Sequence, residues 1–205
     1  MQIIVLTSPD FLPDEVQALT ALLAHGLDRL HLRKPDCTEA QLEALIRQLP
    51  AQYYDRISLH DHFSLQARYR LGGIHLNGRN PHAPEGFQGI VSRSCHSLEE
   101  VAHYAPLADY HFLSPIFDSI SKQGYRSGFD MAQLRQAALE GIVTRKTIAL
   151  GGVSADKLRQ LHDIGFGGAA FLGDIWRGYR SADDLPALLT HFNKLMRVCR
   201  ETENA

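Results

Sequence analysis

The feature that most constrains the fold of this chain is a repeat, in which a short apolar run is followed by a segment with helical spacing. The apolar runs are predicted strands and lie at 3–6, 28–32, 56–60, 73–76, 89–94, 108–113, 146–150 and 167–172. The helical patterns lie at 13–26, 38–49, 62–70, 97–104, 131–140, 154–163 and 183–199. After the fourth run, "NPHAPEG" carries two prolines and excludes a regular helix. The chain therefore alternates strand and helix almost throughout.

Eight such alternations in 205 residues favour an α/β fold of one domain, a single (β/α)8 TIM barrel over residues 1–200. The last residues, 201–205, are predicted to form a frayed tail. A doubly wound open sheet fits the alternation as well. That fold usually has fewer strands and a glycine-rich first turn, however, which "TSPDFLP" is not.

The composition of the chain limits the kinds of molecule that the protein is expected to bind. Apolar residues make up 44% of the chain and charged residues 21%, as in ordinary soluble domains, and the net charge is −2. A nucleic-acid partner is not expected, because it would require a strongly basic face. The start of the chain shows no export signal and no long apolar segment, so we expect no membrane partner and a cytoplasmic location. The three cysteines are widely spaced and predict neither a disulfide framework nor a metal pair.

In a barrel of this kind, the residues after each strand surround one mouth, where the chemistry takes place. Most of these positions carry polar side chains or glycine. They are Arg33 and Lys34; His60, Asp61 and His62; Asn77, Arg79 and Asn80; Ser92, Arg93 and Ser94; Ser119, Ser121 and Lys122; Gly151 and Gly152; and Leu172, Gly173 and Asp174.

Two groups among these residues suit anions. Glycines after the seventh and eighth strands lie where such barrels bind phosphate through backbone N–H groups. A second anion site is predicted from four basic residues around the rest of the mouth, namely Arg33, Lys34, Arg93 and Lys122. Two anion sites facing one cavity suggest a transfer reaction between two small phosphorylated molecules.

Several motifs then resemble a known family. The segments "HLRKPD", "LHDH", "GGIHLNGRN", "SRSCH", "ADYHFLSPIFDSISKQG", "IALGGV" and "GFGGAAFLGDI" occur in the order, and at nearly the spacing, of the thiamine-phosphate synthase family. The most specific is the loop after the sixth strand, which resembles that family's G-P-x-F-x-T-x-T-K segment. The resemblance implies a magnesium-dependent barrel enzyme of thiamine biosynthesis. Such a transferase joins a pyrimidinylmethyl diphosphate to a thiazole phosphate and releases pyrophosphate.

The resemblance also implies roles for single residues. At the diphosphate, Arg33, Ser94 and Lys122 would be catalytic residues that hold the leaving pyrophosphate, while Asp61 and Asn80 would stand at the two magnesium-ligand positions.

At the other substrate, Ser119 and Ser121 replace two threonines that meet the thiazole phosphate and its surroundings. Gly152, Leu172 and Gly173 would supply backbone N–H groups to the same phosphate. The thiazole nitrogen is itself the nucleophile, so no protein nucleophile is required.

Three positions depart from the family pattern. The family's Q-L-R-x-K reads His31-Leu32-Arg33-Lys34-Pro35 here, so the second basic residue has moved by one position. The family's Asn-Asp pair becomes His60-Asp61, and the second magnesium carboxylate becomes Asn80. We predict that Lys34 and His60 contact substrate, and that Asn80 weakens the metal site because an amide brings no charge.

Other functions stay open at this point. Thiazole tautomerases share the barrel and carry a histidine at the loop position where Pro115 stands here. A non-catalytic protein that binds thiazole phosphate or thiamine phosphate would explain the departures at the metal site. The sequence His60-Asp61-His62, with further histidines at 31, 75, 96 and 111, also suggests a metal-dependent hydrolase, although those barrels carry paired histidines on the first strand.

Overall fold

A computed structural model describes residues 1–118 and 128–203, and in that part of the chain eight parallel strands form a closed barrel. The strands are β1 (Gln2–Leu6), β2 (Arg29–Leu32), β3 (Ile57–Leu59), β4 (Gly73–Leu76), β5 (Ile90–Cys95), β6 (Tyr110–Leu113), β7 (Thr147–Leu150) and β8 (Gly168–Phe171). Each pairs with the next along the chain, and β1 pairs with β8 to close the barrel. This confirms the predicted (β/α)8 barrel.

Helices surround the strands. They are α1 (Glu15–Ala24), α2 (Glu39–Gln48), α3 (Ser64–Tyr69), α4 (Leu98–Tyr104), α5 (Met131–Leu139), α6 (Leu158–Ile164), α7 (Gly173–Trp176) and α8 (Leu185–Glu203). Residues 77–89, all of them described, form no helix between β4 and β5, as the prolines predict. The α2 helix begins with a capping box, in which the Thr38 hydroxyl accepts a hydrogen bond from the backbone N–H of Gln41.

The larger hydrophobic core lies between the barrel and the helices. Alternate strand residues point outward into it, and on β2 these are Leu30 and Leu32, both fully buried. Burying a leucine side chain contributes about 1.5–3 kcal/mol. This outer layer therefore supplies most of the apolar burial that holds the barrel together.

The barrel interior is divided between polar and apolar side chains. On one side β1, β6, β7 and β8 contribute a small apolar cluster: Ile4, Leu6, Tyr110, Phe112, Ile148 and Ala170. On the other side β2 to β5 contribute buried polar residues: His31, Ser58, His60, His75 and Ser92. A barrel interior is usually filled with branched apolar residues, so this polar half is a distinctive feature of the chain.

The two ends of the described chain meet at the bottom of the barrel. The Met1 amino group forms an ion pair with Glu203, and Thr202 is buried. Because α8 extends to Glu203, residues 201–203 are helical, and the predicted frayed tail is wrong for them. Among the residues that the structure describes, no helix combines the length and the apolar composition that crossing a membrane would require.

Candidate active site

A cavity of about 720 Å³ opens at the carboxyl ends of the strands, where the sequence predicts the site. Every strand or the loop after it contributes to the wall. The lining residues are Leu6, Ser8, Pro9, Arg33, His60, Asn77, Gly78, Arg79, Ser94, His96, Phe112, Ser114, Pro115, Leu150, Gly151, Gly152, Val153, Ala170, Leu172, Gly173, Asp174, Trp176 and Arg177. One wall is polar and the other mostly apolar, which continues the division of the barrel interior.

Six of the predicted site residues line this cavity. They are Arg33, His60, Ser94, Gly152, Leu172 and Gly173. Arg33 is held at its backbone, because its N–H donates to Thr7 Oγ1 at 2.8 Å while the Thr7 hydroxyl donates to the Arg33 carbonyl. The loop after β8 is fixed to β1, since Trp176 Nε1 donates to the Leu6 carbonyl at 2.7 Å. The structure thus brings these six together, while their roles stay predictions.

The glycines after β7 have a packing role that sequence reasoning missed. Gly151 and Gly152 both adopt a positive φ, +91° and +64°, which favours glycine. A Cβ on Gly152 would lie 2.5 Å from the Asp118 carbonyl oxygen, and one on Gly151 would lie 2.9 Å from Pro115. The loop after β7 therefore packs directly against the beginning of the loop after β6.

Lys34 does not face the cavity, so the structure gives no support to its predicted contact with substrate. Its side chain is fully buried and pairs with Glu15, the first residue of α1, with Nζ 2.6 Å from Oε1. Nζ also donates to the Asp10 carbonyl at 2.7 Å and lies 4.6 Å from the centre of the Phe11 ring. Burial raises the pKa of Glu15 and lowers the pKa of Lys34, and each partner opposes the other's shift. Lys34 fixes the loop between β1 and α1.

Strand periodicity explains this position. Leu30 and Leu32 point outward from the barrel, whereas His31 lies in the buried interior and Arg33 lines the cavity. Side chains alternate along a strand, so Lys34 lies on the same face as Leu30 and Leu32 and points outward, toward α1. The inward position of the family's second basic residue is occupied here by Pro35. The alternation of β2 is the sequence signal that would have placed Lys34 correctly.

Asp61 and Asn80, the predicted metal ligands, contact each other and are not among the cavity-lining residues, whereas the neighbouring Arg79 is. Arg79 grips the Asp61 carboxylate with two bonds, Nε to Oδ1 at 3.1 Å and Nη2 to Oδ2 at 2.9 Å. Asn80 Nδ2 donates to Asp61 Oδ1 at 2.8 Å and to the His60 carbonyl at 3.0 Å. Asn77 Nδ2 donates to the same carbonyl at 2.9 Å.

These contacts do not fit a magnesium centre. Mg²⁺ requires hard oxygen ligands in near-octahedral geometry. Both oxygens of Asp61 already accept hydrogen bonds, and two of the three come from the positively charged guanidinium of Arg79, which repels a cation. Asn80 presents its NH₂ group to two acceptors, so its oxygen points away from any ion that Asp61 would hold. Magnesium therefore remains an expectation from the resemblance, without support from this donor set.

Three histidines form a connected cluster in the polar half of the barrel. His31 lies between Tyr110 and His60, with Nε2 2.7 Å from the tyrosine Oη and Nδ1 2.9 Å from His60 Nε2. His75 is bonded to two serine hydroxyls, Ser92 and Ser94, each at 2.8 Å. The rings of His60 and His75 are stacked with their centres 4.1 Å apart. His60 lines the cavity, so the cluster connects the barrel interior to the candidate site.

Burial keeps this cluster uncharged. It lowers the pKa of His31 and of His60 well below the usual value, and in both cases repulsion from the protonated form of His75 is the next cause. The pKa of His75 falls to about 3, because of burial and then of the positive charges of Arg93 and Arg33. At neutral pH each ring is therefore both a hydrogen-bond donor and an acceptor.

The cluster does not have the geometry of a metal site, although the three side chains lie close enough to share an ion. Two of the candidate ligand atoms already bond to each other, and both nitrogens of His75 bond to serines. The lone pairs of stacked imidazoles lie in nearly parallel planes and do not converge on one ion. His62 turns away and bonds to the Cys37 carbonyl, and His96 lies beside Ser114. The hydrolase interpretation is not supported.

The remaining predicted residues are on the loop after β6. Ser119, Ser121 and Lys122 lie outside the described residues, so their contacts with substrate stay predictions. Pro115, at the position that carries histidine in the tautomerases, lines the cavity.

The cavity wall contains charged residues that were not assigned to the site from the sequence. Arg79, Asp174 and Arg177 all contribute to the lining. Asp174 Oδ2 lies at a hydrogen-bonding distance of 2.7 Å from Nε2 of His191 on α8. Arg79 had been recognised as a strand-end residue, but its grip on Asp61 depends on the folded positions of two loops.

Known proteins share this fold and part of the sequence. A thiamine phosphate pyrophosphorylase from Bacteroides thetaiotaomicron has a solved structure that superposes with a TM-score of 0.89 and 40% identity, over 98% of each chain. Thiamine-phosphate synthase of Cronobacter sakazakii is 27% identical over 179 residues, which are 80% of this chain and 85% of that protein. Thiamine-phosphate synthase of Halalkalibacterium halodurans is 28% identical over 171 residues, 78% of this chain and 80% of that protein.

A family model described as thiamine monophosphate synthase matches residues 2–175, which extend from the first strand to α7 and include every predicted site residue. The resemblance found in the motifs is thereby confirmed, and this chain belongs to the thiamine monophosphate synthase family.

Proposed function

We propose that this protein is a thiamine-phosphate synthase. It transfers the 4-amino-2-methyl-5-pyrimidinylmethyl group from its diphosphate to the nitrogen of a thiazole phosphate and releases pyrophosphate. The observation that carries the proposal is the family match over residues 2–175, on a barrel whose cavity is lined by arginine and by glycines of the loops after β7 and β8. The substrates are small phosphorylated molecules, and a cytoplasmic location, as the sequence predicts, suits such a role.

The polar wall suits the leaving group. Pyrophosphate gains negative charge as its bond to carbon breaks, and prearranged N–H and O–H donors stabilise that charge. Arg33 offers a guanidinium there, and Ser94 offers a hydroxyl that is fixed by His75. The thiazole nitrogen attacks the carbon with its own lone pair. The enzyme therefore positions the two substrates and needs no nucleophile of its own.

The rest of the cavity suits the other groups of the substrates. Flat heterocyclic rings would pack against the apolar wall, which Leu6, Phe112 and Ala170 contribute. Backbone N–H groups at Gly152 and Gly173 would bind the thiazole phosphate, since glycine lets oxygens approach the main chain.

The isomerase alternative is not favoured. Proline at position 115, beside the cavity, matches the synthase pattern rather than the histidine of the tautomerases. A protein that only binds thiazole phosphate would show that binding in calorimetry and form no product at any magnesium concentration.

The proposal is tested by supplying both substrates, with and without Mg²⁺, and measuring thiamine phosphate and pyrophosphate together. Equal amounts of the two products are expected. The change Lys122→Ala should lower kcat at least tenfold, or about 1.4 kcal/mol in activation free energy, because a cation is lost from the leaving group. Lys194→Ala, an exposed position on α8, is the matched control and should leave kcat unchanged. An unchanged rate for Lys122→Ala would show that this lysine does not contact pyrophosphate.

A further inference from the structure

The contacts and the position of the Arg79 side chain suit the binding of an anion in the cavity. An arginine side chain has five N–H donors, of which Asp61 takes two in a fork-like grip. No residue in the described ranges 1–118 and 128–203 accepts a hydrogen bond from the other three, so they can bind a ligand. The Arg79 side chain is 47% exposed and lines the cavity, whereas the Asp61 side chain that holds it is only 13% exposed. The pair therefore presents a fixed guanidinium to the cavity.

A second guanidinium faces the same space. Arg33 lines the cavity and is half-buried, and no residue in the described ranges 1–118 and 128–203 accepts a hydrogen bond from its side chain. Arg33 and Arg79 line the same cavity, and after burial the positive charge of Arg79 is the next cause that lowers the pKa of Arg33. Like charges on one wall repel each other, and a polyanion bound between them removes that cost.

We propose that Arg79 joins Arg33 in binding the diphosphate of the substrate directly, and that Asp61 positions Arg79 instead of holding a magnesium ion. This inference rests on the proposed function for the identity of the diphosphate. This role of Asp61 explains the departure from the family pattern at position 80. Asn80 donates a hydrogen bond to Asp61 and helps to hold its carboxylate, whereas a second carboxylate at position 80 would repel Asp61.

The bonds that break and form in the reaction require no covalent bond to the protein. The carbon–oxygen bond of the diphosphate breaks, and its electron pair stays on the departing oxygen. The lone pair of the thiazole nitrogen forms the new carbon–nitrogen bond. Guanidinium donors on Arg33 and Arg79 stabilise the charge that develops on pyrophosphate, a role in which arginine matches phosphate geometry with two parallel bonds.

The test is the binding of inorganic pyrophosphate to the full chain, measured by calorimetry in EDTA and again with Mg²⁺. We expect binding in EDTA, with a dissociation constant within about threefold of that in Mg²⁺. Arg79→Gln should weaken binding in EDTA at least tenfold, which corresponds to about 1.4 kcal/mol. Arg79→Lys, which keeps the charge and loses the fork, should give a smaller loss and also covers the case in which the glutamine variant fails to fold.

The matched control is Arg68→Gln. Arg68 is similarly exposed, at 51%, and is also paired with a carboxylate, that of Glu43, but it lies on α3 outside the cavity. Its replacement should change binding by less than threefold. Binding that requires Mg²⁺, or an Arg79→Gln variant that behaves like Arg68→Gln, would overturn the inference.

A double-variant cycle tests the positioning role of Asp61. Asp61→Asn alone should weaken pyrophosphate binding at least threefold in EDTA, because the guanidinium of Arg79 is released. In the Arg79→Gln variant, Asp61→Asn should not weaken pyrophosphate binding further. The Asp61 carboxylate then has no arginine to position, and its removal only takes away a charge that repels pyrophosphate. A metal ligand would behave differently, because its loss would raise the magnesium requirement in both backgrounds.

The outcomes separate this inference from the proposed function. Pyrophosphate binding through Arg79 without formation of thiamine phosphate would retain the diphosphate site and reject the synthase. Turnover that is abolished by EDTA and unaffected by Arg79→Gln would retain the synthase and reject the arginine site.

Discussion

At the scale of single residues, Lys34 shows how far a side chain's role depends on the face of the strand that carries it. In the sequence, Lys34 resembles a substrate ligand because it follows Arg33. In the structure it lies on the outer face of the strand and pairs with Glu15. Breaking a buried ion pair is costly, because the remaining charge loses its partner without regaining water. Lys34 is therefore expected to support stability rather than substrate binding.

The first prediction concerns this pair. Lys34→Met should lower the free energy of unfolding by about 3–5 kcal/mol, since Glu15 is left buried and unpaired. The double variant Lys34→Met with Glu15→Leu should recover most of that loss. Urea unfolding at pH 7 measures both.

The control for this prediction is Lys157→Met. Lys157 pairs with Asp156 at 3.2 Å on the surface, where such pairs contribute about 0–1 kcal/mol. If Lys34→Met kept full stability and instead raised KM for a substrate, the original sequence prediction would be restored.

At the scale of elements, the loop after β7 packs against residues 115–118, which are the described start of the loop after β6. Gly151 and Gly152 approach the backbone of residues 115–118 so closely that no side chain fits between them. The loop after β6 carries Ser119, Ser121 and Lys122, the residues that resemble the family most specifically. The glycines therefore support the start of that loop, in addition to any contact with phosphate.

The prediction at this scale is that Gly152→Ala displaces the loop after β6. A non-glycine residue at a positive φ costs about 1–3 kcal/mol. The added Cβ also meets the Asp118 carbonyl oxygen, and misplaced catalytic groups lower turnover steeply. We expect kcat to fall at least about tenfold, with a loss of stability in urea unfolding.

Gly141→Ala separates the two effects. Gly141 has a similar φ of +75° at the end of α5, and nothing lies within 4 Å of an added Cβ. This control carries the conformational cost without the collision, so its kcat should equal that of the unchanged protein. Equal losses of stability and of kcat in both variants would show that the packing of Gly152 does not matter.

At the scale of the whole molecule, the divided barrel interior couples stability to pH. The buried histidines His31, His60 and His75 have a pKa below that of an unfolded chain, to about 3 for His75. Between that value and about 6.5, the unfolded chain binds protons that the folded chain does not. Stability should therefore fall as the pH decreases through this window and should be fully present above it.

Each such histidine should contribute about 1.4 kcal/mol per pH unit within the window. Urea unfolding between pH 7.5 and pH 5 measures the slope, and this range avoids most titration of carboxylates. His75→Gln should reduce the slope of the free energy of unfolding against pH by the contribution of one histidine. His103→Gln, at an exposed position on α4, should leave it unchanged. A free energy of unfolding that is constant over this range would contradict a neutral buried cluster.

Much of the site was predictable because strand ends in a parallel barrel share one face. Arg33, His60, Ser94, Gly152 and Gly173 are distant in sequence, yet each lies at or just after the end of a predicted strand and lines one cavity. The packing of Gly152 and the outward direction of Lys34 depend on neighbouring elements, and neither follows from the end of a strand alone.

The sequence by itself determined the barrel, its strand limits to within a few residues, the family and part of the cavity lining, because hydrophobic periodicity and local motifs encode these features. Only the tertiary structure decided how side chains combine across strands. It paired Lys34 with Glu15, joined His31 to His60 and Tyr110, and set Arg79 on Asp61. Those contacts join residues 18 to 79 positions apart, and only the closed barrel brings such residues within hydrogen-bonding distance.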